Sequence, residues 1–211
     1  MGFGSVEGIF YHSTGIYVLS GFSQGNMSDN NWHHVALVRD ATNNQAYLYL
    51  NGSRTDSQAL TARSNAKIDG IDNFHMGGRL YNTTAMLLGS VDEMRISNVV
   101  RYSGTTIPNF GSVEFSNDAN TTLLWHLNEG KGTTTSDASA GGNTGGLMTG
   151  ANWCNGYVLS GLATAGSLIP KTTSEIGISG GGLIIRDIFS DQTIGTVGSE
   201  MRIVMVFRIG S

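Results

Sequence analysis

Three groupings of residues in this chain have the types and spacing to do chemistry. The first is the run Asp137-Ala138-Ser139-Ala140-Gly141-Gly142-Asn143. Ca2+ takes hard oxygen ligands from carboxylates, amide carbonyls and backbone carbonyls, and a glycine-rich loop carrying Asp and Asn presents all three. Asp137 and Asn143 are therefore candidate calcium ligands. The alternative is that Asp137 closes an Asx-turn on its own backbone. The second grouping is Asp92-Glu93. Glycoside hydrolysis uses two carboxylates flanking the scissile bond, which on a strand requires acids at alternating positions on one face. Neighbours such as 92 and 93 point to opposite faces, and no further acid follows at the needed spacing. No catalytic residue is expected, and the chain is read as a non-enzyme. The third grouping is aromatic: Tyr47, Tyr49, Tyr81 and Trp153 could stack on the apolar face of a sugar, although two tyrosines alternating on a strand are also ordinary sheet surface.

The histidines add little to this reading. His33 and His34 follow Trp32, but on a strand they face opposite sides and cannot act as a pair on one ligand. His75 and His126 are single histidines in expected strands and read as core or face residues, while His12 lies in a segment without clear pattern. No G-x-S-x-G, H-E-x-x-H or phosphate-binding glycine loop occurs. Gly130-Lys131-Gly132 lacks the Ser or Thr that should follow the lysine, and reads as a turn, as does Gly180-Gly181-Gly182.

The elements that must position these groups are strands. Period-two alternation dominates. Residues 32–39 form one expected strand, ended by the turn-forming run Asp40-Ala41-Thr42-Asn43-Asn44. Residues 46–50 form the next, with Ala46, Leu48 and Leu50 on one face and Tyr47 and Tyr49 on the other. It stops at Asn51-Gly52, a strong hairpin signal. Further strands are expected at 71–76, 89–96, 123–127 and 201–209, the last placing Ile203, Met205, Phe207 and Ile209 on one face. No helical stripe exceeds two turns. With only 2 prolines and 30 glycines, turns fall to Gly and Asn at positive φ. The expected class is all-β.

Length and charge bound the function. A chain of 211 residues fits one β-sandwich. The net charge is −4, and 12 Lys plus Arg are scattered along the chain, with no basic stripe to neutralise phosphates, so nucleic acid is not an expected partner. The 1 cysteine, Cys154, permits no internal disulfide. No apolar run reaches the length of a membrane span, so membrane insertion is not expected. The first residues show neither a basic region nor an apolar stretch of the secretory type. Sequons at Asn26, Asn51, Asn82 and Asn120 matter only in a glycosylating secretory route.

The motifs together resemble a known family. Asn31-Trp32-His33-His34-Val35-Ala36-Leu37-Val38-Arg39-Asp40, then Ala46-Tyr47-Leu48-Tyr49-Leu50-Asn51-Gly52, then Met76-Gly77-Gly78 and Leu88-Gly89-Ser90-Val91-Asp92-Glu93-Met94-Arg95-Ile96-Ser97 resemble the closing half of laminin-G-like, concanavalin A-like jelly-roll domains. Leu123-Leu124-Trp125-His126-Leu127-Asn128-Glu129-Gly130-Lys131-Gly132, with Ser136-Asp137-Ala138-Ser139 and Gly142-Asn143-Thr144-Gly145, resembles the opening of such a domain. Here Asn128 stands where the family pattern has Asp. The halves are thus in inverted order, 1–116 closing and 117–211 opening.

The resemblance implies an antiparallel two-sheet jelly-roll sandwich, one domain over 1–211, circularly permuted or completed by strand exchange between chains. Pieces of two consecutive domains are the alternative. It places the strand at 201–209 as the first long inner-sheet strand, and it packs the Asp137 loop near the opening strand, where Asp92 could join a calcium site. The function it implies is a non-catalytic, lectin-like recognition or adhesion module for a glycan or another cell-surface ligand. The other reading is a structural or assembly protein of a virion appendage or extracellular filament, because the run Asp92 to Gly104 is similar to modules in bacteriophage tail and surface proteins. Either reading implies an extracellular or virion-surface location, and the inverted halves imply self-association of identical chains.

Overall fold

A computed structural model describes residues 31–60, 76, 87, 89–108, 114–148 and 151–153, and elsewhere the backbone of strands alone. In chain order the strands are β1 (Glu7–His12), β2 (Gly15–Ser20), β3 (Trp32–Asp40), β4 (Gln45–Leu50), β5 (Ser53–Ala59), β6 (Gly78–Arg79), β7 (Asn82–Met86), β8 (Gly89–Ser97) and β9 (Thr121–Trp125). The second half continues with β10 (Thr134–Thr135), β11 (Gly145–Gly146), β12 (Asn152–Cys154), β13 (Tyr157–Val158), β14 (Ile169–Pro170), β15 (Glu175–Ile178), β16 (Ile184–Ile185) and β17 (Arg202–Ile209). Among the described residues there is no helix, and so none long and apolar enough to cross a membrane. The all-β expectation holds.

The strands expected at 32–39 and 46–50 form, joined by the expected turn. β3 and β4 pair antiparallel from Val35↔Leu50 to Asp40↔Gln45. Asp40 closes the turn with its own carboxylate, accepting from the amide of Asn43 at 2.9 Å and from its side-chain nitrogen at 2.8 Å. Asn44 takes φ 53°, a conformation Asn tolerates better than most residues. Asn51 and Gly52 both have positive φ, 48° and 78°, as a two-residue primed turn into β5 requires. The expected strand at 71–76 lies outside the described residues except for Met76, which sits in a bend. The strand expected at 123–127 runs instead over 121–125, because Leu127 turns to φ 57°.

The largest sheet has 8 strands in the order β12-β15-β8-β17-β3-β4-β5, with β9 also on β8. Its pairings are antiparallel. β17, from the end of the chain, lies between β3 and β8 and pairs with both along nearly its whole length. A second sheet, β16-β1-β2, brings β2 close to β4 and β5.

β3 is buried at all nine positions, so the sheet is covered on both faces here. One face carries Ala36, Val38, Tyr47 and Tyr49, closed by Ile107 with Val100, Tyr102 and Phe115 packed against it. That cover is the segment leaving β8. It is strapped to the β4–β5 turn by Ile107 N donating to Gly52 O (2.6 Å) and Arg54 N donating to Thr105 O (2.8 Å). The return toward β9 is pinned by Arg101, whose guanidinium donates twice to Asp118 at 2.6 and 2.8 Å. These bonds, with those from Thr121 and Asn120, hold the Asp118 carboxyl well below its ordinary pKa.

His34 is a buried polar residue of this core. It is 1% exposed, and desolvation, with Arg95 nearby, lowers its pKa from 6.5 to about 4. The folded chain therefore binds fewer protons than the unfolded chain between those values, and stability falls as pH drops through that window. The full depression corresponds to about 3 kcal/mol. Urea midpoints should decrease between about pH 7 and about pH 4.5, and His34→Gln should flatten that part of the profile. An equally steep profile in the variant would assign the effect to other groups.

Candidate functional site

The site begins with an irregularity in β8. One edge of this strand is paired by β17, and the other is shared, β15 taking Gly89 to Val91 and β9 taking Met94 to Ser97. Between them Asp92 and Glu93 have no strand opposite. The register against β17 slips at the same place, Met94 facing Met205 and Asp92 facing Val206, so that Glu93 is the extra residue of a bulge. Its φ is 54°, a left-handed conformation that costs a side-chain-bearing residue about 1–2 kcal/mol. The Asp92 carboxylate accepts the Glu93 amide at 3.1 Å. A bulge re-aims a side chain, and the strict alternation expected for Asp92-Glu93 does not hold past this point.

Glu93 is turned toward the end of β9. The last rung of β9 sets Trp125 opposite Met94, so the next residue, His126, arrives across from Glu93. His126 Nδ1 lies 3.0 and 3.1 Å from the two Glu93 oxygens, and the second also accepts the amide of Phe115 at 3.2 Å. Glu114, exposed, comes beside them, its carboxylate accepting from Asn128 Nδ2 at 3.3 Å. One ligating atom each from Glu93, Glu114 and His126 lie within 4.8 Å of one another. Leu127, fully buried and at positive φ, anchors the turn between His126 and Asn128. The sequence reading missed this trio. A strict period of two sends Glu93 to the opposite face from Asp92 and hides the bulge that aims it at His126.

The candidate calcium ligands are only partly gathered. Asp137 and Asn143 do meet. Asp137 Oδ1 accepts the amides of Leu124 (2.9 Å) and Ser139 (2.8 Å), and Oδ2 accepts the amide of Asn143 (2.8 Å). The Asn143 side-chain nitrogen points at Thr122 O and at Asp137 Oδ2. Burial alone would raise the Asp137 pKa, but these donors outweigh it and leave the carboxyl below its ordinary value. Donors crowd the oxygens that a cation would need, so the donor set suits an Asx-type loop clamp and not a Ca2+ shell. Gly141 is required here, since a Cβ would collide with Thr122 O. Asp92 does not join the loop: Leu124 turns its hydrogen-bonding edge to Asp137 and Ala138, which puts the loop on the side of β9 away from β8.

The aromatic candidates separate. Tyr47 and Tyr49 are 8% and 0% exposed, under the segment that crosses from β8. The Tyr49 hydroxyl donates to Gly104 O at 2.7 Å, and Arg54 stacks over Tyr47 at 5.0 Å. This corrects the expectation of a tyrosine pair open to a sugar: the face is right, but another part of the chain covers it. Tyr81 lies outside the described residues. Trp153 is half-buried, its indole donating to Gly132 O at 2.9 Å on the rim of the loops, and part of its ring meets solvent.

Residues 4–105 match the family model described as the concanavalin A-like lectin/glucanases superfamily. No curated protein and no solved structure matches the chain. The matched segment is similar to that superfamily, and the antiparallel sheets are consistent with its all-β sandwich. Laminin-G-like domains are generally non-catalytic, although the superfamily includes glucanases, and they often bind Ca2+.

Replacing Asp137 with Ala leaves three backbone amides without their acceptor, which should lower stability by about 3 kcal/mol or more. The melting temperature should fall equally in calcium and in chelator. A wild-type calcium stabilisation that vanishes in Asp137→Ala would instead place the ion at this loop.

Proposed function

We propose that this chain is a non-catalytic, lectin-like recognition module that binds a glycan or another surface ligand outside the cell or on a virion. The family of residues 4–105 carries this reading. It is supported by the state of the acidic pair that a hydrolase would need to present: Asp92 is 0% and Glu93 2% exposed, and Glu93 is held by His126 and the Phe115 amide. Trp153, half-buried and bonded to Gly132 O, is less buried than Tyr47 and Tyr49 and is the aromatic we assign to stacking on the ligand.

A second reading, a structural subunit of an appendage or filament, draws on β17. A strand from the end of the chain that sits between β3 and β8 is one that a neighbouring copy could supply in its place, and this would link identical chains head to tail. Both readings are tested together by glycan-array binding and size-exclusion chromatography over a range of concentrations. Recognition predicts a species whose oligomeric state is independent of concentration, with glycan binding that Trp153→Ala weakens about tenfold, the loss of one stacked ring. Concentration-dependent polymers without glycan binding would overturn it in favour of assembly.

A further inference from the structure

We propose that Glu93, Glu114 and His126 form a binding site for a divalent transition-metal ion of the Zn2+ type, separate from the Asp137 loop and from the Trp153 rim. The three side chains come from β8, from the segment before β9 and from the residue after β9, and their ligating atoms converge within 4.8 Å.

Charge is the first argument. Glu93 is 2% exposed, and a buried carboxylate is costly unless a cation or a full set of donors meets it. Among the described residues its oxygens are met by one backbone amide and by the Nδ1 of His126, with no lysine or arginine against them. Adding Glu114 brings a second carboxylate to the same place. A divalent ion neutralises both and takes the imidazole nitrogen as its third ligand.

Ligand type selects the ion. Ca2+ and Mg2+ prefer oxygen alone, whereas imidazole with carboxylate suits Zn2+ and its neighbours. Ligand distances of about 2.0–2.2 Å require only that the exposed Glu114 side chain draw in, since Glu93 and His126 are already in contact at 3.0 Å. Their positions are fixed by the backbone: the bulge at Glu93 and the reversal at Leu127, both at positive φ, aim the two ligands at each other. Asn128, bonded to Glu114 at 3.3 Å, is a positioning residue for that carboxylate. The side chain of His126 is 28% exposed, which leaves the ion a path in and a position for water.

The test uses the whole chain after dialysis against chelator, with Zn2+, Co2+ and Ca2+ each added alone. Zn2+ should raise the melting temperature, and Co2+ should give a visible ligand-field absorption that Zn2+ bleaches, each at one equivalent, while Ca2+ does neither. Glu114→Gln, at an exposed position that does not threaten folding, should weaken Zn2+ binding at least about tenfold, and His126→Gln should abolish the cobalt signal. Cys154→Ser and His33→Gln should leave both responses intact. Absence of the cobalt band, its persistence in Glu114→Gln, or equal competition by Ca2+ overturns the proposal. Glycan binding is read separately, so failure here is distinct from failure of the recognition reading.

Discussion

The rest of the structure depends on β8, because strands from the second half of the chain pair with both of its edges. β17 runs along one edge, β9 and β15 divide the other, and none of these comes from the first 120 residues. An isolated first half would leave the backbone groups of β8 unpaired, and unpaired edges recruit other chains. Val91, Met94 and Ile96, all at most 2% exposed, are buried in this completed sheet. The same sharing produces the local defect: where β15 stops and β9 has not begun, Glu93 bulges, and the histidine that extends β9 meets it.

Much of this architecture was legible in the sequence. The hairpin of β3 and β4 followed from alternation ended by Asp40 to Asn44 and by Asn51-Gly52, and each turn is closed by the chemistry its residues suggested. Two things were hidden. The burial of Tyr47 and Tyr49 depends on residues 100–107 and 115 folding back over them, a long-range contact that local alternation does not encode. The aim of Glu93 at His126 depends on one extra residue in a ladder, which shifts the period without altering composition. Trp153 could be named only as an aromatic candidate. Its tie to Gly132 O needs the loops around it.

The Asp137 loop illustrates why residue type alone left its chemistry open. Asp, Ser, Gly and Asn at close spacing supply oxygen for a cation and equally supply acceptors for the backbone they sit in. The outcome turns on which way the amides point, and here the amides of Leu124, Ser139 and Asn143 all point at Asp137. A carboxylate saturated by N–H donors has its negative charge already solvated by the protein, so the gain from adding an ion is small. At Glu93 the balance is reversed, since burial is deeper and the donors are fewer.

The clamp at Asp137 also bears on how identical chains could associate. Leu124 directs its amide to Asp137 and its carbonyl to the amide of Ala138, so the outer edge of β9 is occupied and cannot template another strand. At the far side of the sheet β5 carries Arg54 and Asp56, and its start is bridged to Thr106, features that discourage edge-to-edge pairing. With these two edges managed in this way, pairing of another strand onto β9 or β5 is disfavoured. Under the assembly reading, exchange of β17 would change no pairing in the sheet and would decide only whether the strand between β3 and β8 comes from the same chain or its neighbour. Local concentration then governs the choice, because the contacts formed in the two cases are the same.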